Sequence, residues 1–348
     1  MNIGMVTPWK CRCGISDYSY QLSMALSEHL KVYIVRMQRF GRRNTEFMQF
    51  LPMRRIPETL EEGRYKPVID LLHVQHEYGL FVEYEKPFFE QLSPLGLTVV
   101  TTMHATGNFK FDKIVAENSD EIIVHNQHCQ DLLSRQGIHS KIIPHGCGPA
   151  DPLPKDKAMK AMKQLLNFET ERPIAGVFGF ISEYKNYEDL IESILRTEGH
   201  LLIVGGWHFP GMKEEAKKAE LLELTRRAAP GRVSFTGWIP DNLLPMIFGA
   251  VDVVVSNHRY ASESGSLLKA LSYGKPVLAT AIRPFLAKEK EGALKTFDSK
   301  ESLIDNLKTL LENEDERKKL SEGARRYAEN NSWAKVAQAH VELYESLL

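Results

Sequence analysis

The sequence is poor in the features that would assign it quickly to a specialised class. Its four cysteines, Cys11, Cys13, Cys129 and Cys147, are too few and too irregular in 348 residues for a disulfide framework. Cys11 and Cys13 enclose one residue, which is not the C-x-x-C spacing of structural zinc or dithiol sites, so no metal is expected. No apolar run approaches the roughly 18 residues of a membrane span. The opening MNIGMVTPWK has no charged head followed by an apolar core; it reads as the first strand of a mature domain, and a reducing cytoplasm is the expected home. Neither charge is in excess. Lys and Arg number 44 against 45 Asp and Glu, divided 16 to 16 up to residue 150 and 28 to 29 beyond it. Nucleic-acid binding by bulk electrostatics is thereby excluded. Solenoid-period repeats and low-complexity tracts are also absent.

What is present is an alternation of strands and helices. Hydrophobic residues make 43% of the chain and charged residues 26%, a soluble globular balance. Apolar runs of strand length recur at 3–7, 31–35, 71–75, 97–104, 121–126 and 140–145. A second series follows at 173–180, 201–206, 232–237, 251–256, 275–280 and 293–297. Between them lie helix-period segments such as YEDLIESILR, where Leu190, Ile191, Ile194 and Leu195 share a face. Strands apolar on both faces and separated by helices predict parallel sheets covered on both sides. The Gly- and Pro-rich HGCGPADPLPKDK (145–157) reads as a linker. The expectation is an α/β chain of two doubly wound, Rossmann-like domains facing across a cleft, residues 1–155 and 156–330. Residues 331–348 form a last helix that packs back toward the first domain, with Val336, His340 and Leu343 on its buried face.

Chemistry in such sheets sits in the loops after the strands. The most informative loop is NHRYASESGS, which leads from the strand ending near 256 into the helix LLKALSY. A helix mouth has free N–H groups and partial positive charge, and the small residues Ser264, Gly265 and Ser266 would let a phosphate approach. The same residues also fit an ordinary serine N-cap with no ligand.

The segment VSFTGWIPDNLLPMIFGAVDVVVSNHRYASESGSLLKALSYGKPVLAT resembles the donor half of the retaining GT-B glycosyltransferases, the large group that includes glycogen synthases and many mannosyltransferases. Gly237 at a strand end, and Gly274, Pro276 and Val277 after the helix, carry that likeness. IIPHGC, FGFISEYKNYEDLIESI, CRCGISDYSYQLSMAL, VQHEYGLF and TTMHATGNF add to it, so the resemblance covers essentially the whole chain. It implies the GT-B fold, Lys185 on the donor diphosphate, Gly14 and Gly237 against the donor, and His104 beside the sugar. No cofactor is implied; a nucleoside diphosphate sugar would be the co-substrate and a sugar or lipid-linked sugar the acceptor.

The chain also departs from that pattern. The family carries two glutamates eight positions apart, where this sequence has Ala261 and Lys269; Glu263 stands two residues out of register. Glu263 is read either as the catalytic carboxylate that reaches the sugar or as a solvated turn residue. Phe180 replaces the family's arginine after the phosphate-loop glycine, and Arg259 is the preferred source of the missing charge, with Lys269 as the alternative. His73, His76 and Glu77 lack the spacing of a helical zinc motif and are assigned a structural or acceptor-side role. His125, His128 and His145 receive no role. The arginine-rich stretch 36–55 reads as a solvated loop, or as a grip for a phosphorylated acceptor or an anionic membrane surface. No pair of acids is evident, so the expected reaction is same-face transfer in which the departing phosphate takes the acceptor proton. A nucleotide-sugar epimerase and a non-catalytic sugar-nucleotide binder are the competing readings.

Overall fold

The computed structural model describes residues 1–42, 45–49, 69–81, 85–107, 109–206 and 212–348. The chain divides into two compact units, one made of Met1–Gly146 with Asn331–Leu348 and the other of Cys147–Asn330.

In the first unit the strands are β1 (Asn2–Pro8), β2 (Lys31–Arg42), β3 (Thr45–Gln49), β4 (Leu71–His76), β5 (Thr98–Met103), β6 (Glu121–Val124) and β7 (Lys141–Ile142). They lie in the order β3-β2-β1-β4-β5-β6-β7, all parallel except that β3 runs antiparallel to β2. Helices α1 (Gly14–Leu26), α2 (Tyr78–Phe81), α3 (Glu85–Leu92), α4 (Asp112–Glu117) and α5 (Gln127–Ser134) connect them. The sheet is apolar on both faces because alternate residues of each strand enter different cores. Ile3, Met5, Leu71 and Val100 pack on one side; Val6, Leu72, Val74 and Val99 pack on the other. This period-2 division is what a doubly covered parallel sheet requires.

The expectation of a loop over 36–55 is corrected for its first part. Residues 36–42 and 45–49 belong to the β2–β3 pair, in which Phe40 stands opposite Phe47 and Arg39 opposite Met48. The side chains of this stretch, and any acceptor or membrane role for it, lie outside the described residues.

The second unit carries β8 (Ile174–Phe178), β9 (His200–Val204), β10 (Val233–Gly237), β11 (Val253–Ser256), β12 (Val277–Thr280) and β13 (Lys295–Phe297), in the order β10-β9-β8-β11-β12-β13 and all parallel. Its helices are α6 (Lys155–Leu166), α7 (Tyr187–Ile194), α8 (Met212–Ala228), α9 (Leu244–Ala250), α10 (Gly265–Ser272), α11 (Arg283–Lys290), α12 (Lys300–Glu312) and α13 (Glu314–Asn330). Again the faces alternate, with Ala175, Val177, Leu201 and Ile203 in one core and Ile174, Phe178, Leu202 and Val204 in the other.

The last helix, α14 (Trp333–Leu347), returns to the first unit. Ser332 caps it by accepting from the Lys335 N–H. Val336, Ala337, Leu343 and Tyr344 join Tyr18, Leu22 and Leu26 of α1 in one core, and His340 is fully buried. Gly146 makes room for this helix, since a Cβ there would lie 2.3 Å from the Trp333 ring. Among the described residues no helix is long and apolar enough to cross a membrane.

Both sheets reverse direction once. In the second unit the reversal falls between β8 and β11, the place where ligands of doubly wound sheets bind. In the first it falls between β1 and β4.

Candidate functional site

At the β8/β11 reversal the loops after the two strands are stitched together. The Arg259 N–H donates to Tyr184 O at 2.8 Å, Asn257 Nδ2 to Asn186 O at 3.1 Å, and Arg259 Nη2 to Asn186 Oδ1 at 3.1 Å. The result is a pocket lined by Phe178, Lys185, Ser256, Asn257, His258, Ser266 and Leu267 among others.

Lys185 dominates this pocket. Its side chain lies back over the end of β8, where Nζ donates to Phe178 O at 2.6 Å, and the residue is only 3% exposed. Gly179 makes that course possible. Its φ is +96°, and a Cβ would stand 2.7 Å from Lys185 Nζ and 3.6 Å from Ser266 Oγ. The same figures bring Lys185 and Ser266 to one spot, although 81 positions separate them in the chain. Burial without a carboxylate partner pulls the ammonium down from 10.5 to about 7. Phosphate oxygens would restore the charge that burial disfavours.

Ser264 is the N-cap of α10. Its Oγ accepts from the Leu267 N–H at 3.3 Å and lies 3.3 Å from Ser266 Oγ. The first backbone bond of the helix runs from the Leu268 N–H to Ser264 O at 3.0 Å, so the N–H groups of Gly265 and Ser266 come before it. Ser264 is thus the ordinary cap, a geometry that is also compatible with an anion at the helix mouth.

Glu263 is not a solvated turn residue. Its Oε2 accepts from Lys288 Nζ at 2.7 Å and its Oε1 from the Ser264 N–H at 2.9 Å, with the two side chains 7% and 5% exposed. Lys288 comes from α11, and its Nζ also stands 5.8 Å from the centre of the Tyr327 ring. Arg259 is exposed and reaches the pocket edge through Asn186. Lys269 lies at the far end of α10 and faces Asp241 at 3.6 Å. Gly237 ends β10, where its carbonyl accepts from the Gly205 N–H at 3.0 Å, and Trp238 beside it is 43% exposed.

Sequence reasoning passed over His258, whose Nδ1 lies 2.9 Å from Ser256 Oγ. Burial, then the nearby Lys185 charge, push it down to about 3, so it is neutral. Its place at the carboxyl end of β11 was the available signal.

In the first unit Gly14 opens α1 just past the end of β1, and nothing lies within 4 Å of where its Cβ would stand. His104 follows β5. Its Nε2 lies 2.9 Å from Gln75 Oε1 and its Nδ1 3.1 Å from His125 Nε2, so both ring nitrogens are engaged. Tyr18 presents its ring to His104 edge-on at 4.7 Å between centroids. Burial, then neighbouring histidines, hold His104 well below the usual histidine range. His73, Gln75 and His76 are fully buried. Among the described residues no three His, Cys, Asp or Glu side chains stand together as metal ligands.

Comparison with known proteins sharpens this. Residues 159–327 match the family model of glycosyl transferases group 1. Two curated relatives share a stretch of the chain. One is the D-inositol 3-phosphate glycosyltransferase of Corynebacterium urealyticum, 32% identical over 45% of this chain and 38% of that protein. The other is the 2-deoxystreptamine N-acetyl-D-glucosaminyltransferase of Streptomyces fradiae, 25% identical over 40% of this chain and 33% of that one. The matched stretch thus spans little more than a third of either relative. Solved structures match at full length. Sucrose-phosphate synthase of Thermosynechococcus elongatus superposes with a TM-score of 0.75 at 18% identity, covering 99% of this chain and 98% of its own. Anabaena HepE in complex with UDP and glucose gives 0.74 at 16%, covering 99% and 100%. The chain therefore has the GT-B fold, and residues 159–327, within its second unit, match the family model of glycosyl transferases group 1.

Proposed function

We propose that the protein is a retaining glycosyltransferase that moves a hexosyl group from a nucleoside diphosphate sugar to an acceptor hydroxyl. One observation carries the reading: Lys185 and the mouth of α10 converge where the strand order switches, in a unit that matches the family model of glycosyl transferases group 1. The donor diphosphate lies there, held by Lys185 Nζ, the N–H groups of Gly265 and Ser266, and the hydroxyls of Ser264 and Ser266. Arg259 supplies further positive charge from the rim, and Gly14 and Gly237 leave room for the donor. The first domain takes the acceptor, a sugar or lipid-linked sugar, with His104 as its candidate catalytic group. HepE has been seen with UDP-glucose, which makes UDP-sugars the first donors to try.

The chemistry is charge management. The bond from the anomeric carbon to the diphosphate breaks, its electron pair stays on the phosphate oxygen, and the acceptor oxygen bonds to the same face of the sugar. The leaving phosphate takes the acceptor proton. Fixed donors aimed at that oxygen lower the barrier, each typically by about 2–4 kcal/mol. The expected place of Glu263 is opposite the sugar, but its carboxylate is buried against Lys288. With both oxygens engaged by Lys288 and Ser264, it acts as the anchor that fixes the helix mouth. No metal is invoked, since a lysine and helix-end amides supply the positive charge.

The test is a screen of UDP-, GDP- and ADP-sugars for transfer and hydrolysis, followed by Lys185→Ala in whichever is active. A loss of about 10²-fold in kcat/KM is expected from a single leaving-group donor. Activity within threefold of the parent removes Lys185 from the reaction. The anomeric configuration of the product, read by NMR, decides between retention and inversion.

A further inference from the structure

The first unit contains a continuous hydrogen-bonded row that crosses the end of its sheet. Tyr344 OH of α14 lies 2.6 Å from His73 Nδ1. His73 Nε2 lies 3.1 Å from the Gln75 amide and 2.7 Å from Thr102 Oγ1. The other end of the Gln75 amide meets His104 Nε2 at 2.9 Å, His104 Nδ1 meets His125 Nε2 at 3.1 Å, and His125 Nδ1 meets Ile143 O at 3.2 Å. Tyr344, His73, Gln75 and His125 are all at most 4% exposed.

The last contact sets the direction. A backbone carbonyl only accepts, so His125 Nδ1 must carry hydrogen. A neutral His125 then has a bare Nε2, which obliges His104 to donate from Nδ1. His104 Nε2 is in turn bare and needs a donor, which is the amide nitrogen of Gln75. The Gln75 oxygen must then face His73, which donates from Nε2 and accepts at Nδ1 from the Tyr344 hydroxyl. Every atom in the row is satisfied with one proton per imidazole.

This requires the Gln75 amide to be turned end for end from the orientation in which its nitrogen faces His73. Amide oxygen and nitrogen are told apart by such bookkeeping. The turn replaces a weak N–H···S bond to Met5 Sδ, 3.1 Å away, with an O···S contact. The unturned amide instead reverses the row and leaves His125 facing Ile143 O with either a bare nitrogen or an extra proton. A cationic imidazole buried beside His104 and His145 is the costlier choice.

We propose that His125, Gln75, His73 and Tyr344 are positioning residues that hold His104 as the Nδ1–H tautomer, so that the Ile143 carbonyl just after β7 directs the protonation of a residue at the end of β5. Only the consequence for turnover rests on the proposed glycosyl transfer; the tautomer itself does not.

The test is 15N–1H two-bond correlation on the full chain labelled at histidine, without substrate, at pH 7.5. Signals are assigned by single His→Gln variants. The expected pattern is Nδ1–H at His104 and His125 and Nε2–H at His73. His104 found as Nε2–H, or as a doubly protonated ring, overturns the proposal. Gln75→Glu presents acceptors to both sides and is expected to reverse His104 to Nε2–H while His73 keeps its form; no change at His104 overturns the positioning role. Should that variant fail to fold, Tyr344→Phe keeps the ring packing and removes the donor. His104 and His125 are then expected to keep Nδ1–H, because the Ile143 carbonyl still sets the direction, and a changed tautomer at His104 refutes direction from Ile143. In an active enzyme Gln75→Glu is expected to lower kcat about tenfold or more with KM held. Unchanged kcat beside a reversed tautomer would put the fault in the role given to His104 and leave the row intact.

Discussion

Lys288 Nζ stands 2.7 Å from Glu263 Oε2 with both side chains almost sealed from solvent. The pair links α11 to the loop before α10, and the other carboxylate oxygen fixes the Ser264 N–H at 2.9 Å. Removing one member of a buried pair strands the other charge, which typically costs about 3–5 kcal/mol. Lys288→Met is therefore expected to lower stability by about that amount in urea unfolding. The double variant Lys288→Met with Glu263→Gln should recover at least about 1 kcal/mol of it, because the stranded charge is gone. If the single and double variants unfold alike, the pair does not hold the helix mouth.

Lys185 gives a pH dependence of defined sign. Its folded value is about 7 and its unfolded value 10.5. Between these the unfolded chain binds more protons, so this group's contribution to stability rises with pH across that window. At and below about 7 the cost of the buried charge is felt in full. A bound diphosphate has the opposite preference, because it favours the ammonium. Binding above pH 7 must then take up a proton, and nucleotide affinity should fall toward tenfold per pH unit between 7 and 9. Calorimetric titration of UDP at pH 8 in two buffers of different ionisation enthalpy reads the uptake directly. Equal heats in both buffers would dismiss Lys185 as the diphosphate ligand.

Much of the scaffold was legible in the sequence because both sheets are covered on two faces. Runs such as LLIVGG and VDVVVS admit few other structures, and they form β9 and β11 at the places read. β3 escaped because TEFMQ is short and holds only Phe47 and Met48 as apolar residues, which an edge strand tolerates and a central strand does not. Lys185 and the α10 mouth were legible as separate motifs. Their meeting was not, since it depends on the order in which β8 and β11 pair. The partner of Glu263 lies 25 positions away across β12, and no local pattern announces it. The buried histidines show the same limit. His125 receives no role from the sequence and His73 only a structural or acceptor-side one, because their partners come from other strands and the last helix.

Two glycines separate packing from recognition. Gly205 has φ +143°, and a Cβ there would stand 2.0 Å from Gly179 O, a backbone atom that cannot swing away. Gly205→Ala is expected to cost at least about 2 kcal/mol and to disturb the Gly179 turn that seats Lys185. Gly14→Ala meets open space and helical backbone, so its stability should stay within about 0.5 kcal/mol of the parent. Denaturant midpoints check both. Should Gly14→Ala weaken nucleotide binding while its midpoint is unmoved, Gly14 lies against the donor as proposed.

The buried histidines make the chain sensitive to mild acid. Burial holds His73 and His104 well below 6.5, lowers His76, and brings His200 and His340 to about 4 and His258 to about 3. Unfolding lets each regain its ordinary value. Below about pH 6.5 the unfolded chain therefore binds protons that the folded chain refuses, and stability falls as pH falls. The loss continues until the folded values are reached, which for His340 is near 4. The melting temperature should drop steadily from pH 7 to 4, with little of the drop attributable to exposed groups. His340 offers the sharpest check, because its Nδ1 bonds to Val336 O of its own helix at 2.7 Å and its Nε2 is buried with no hydrogen-bond partner among the described residues. His340→Leu deletes that titration and keeps the space beside the His73 and Tyr344 rings filled. The variant should match or exceed the parent at pH 5 and gain on it as the pH falls further. A parallel acid limb in parent and variant would show that His340 is not among the groups that make the fold acid-labile.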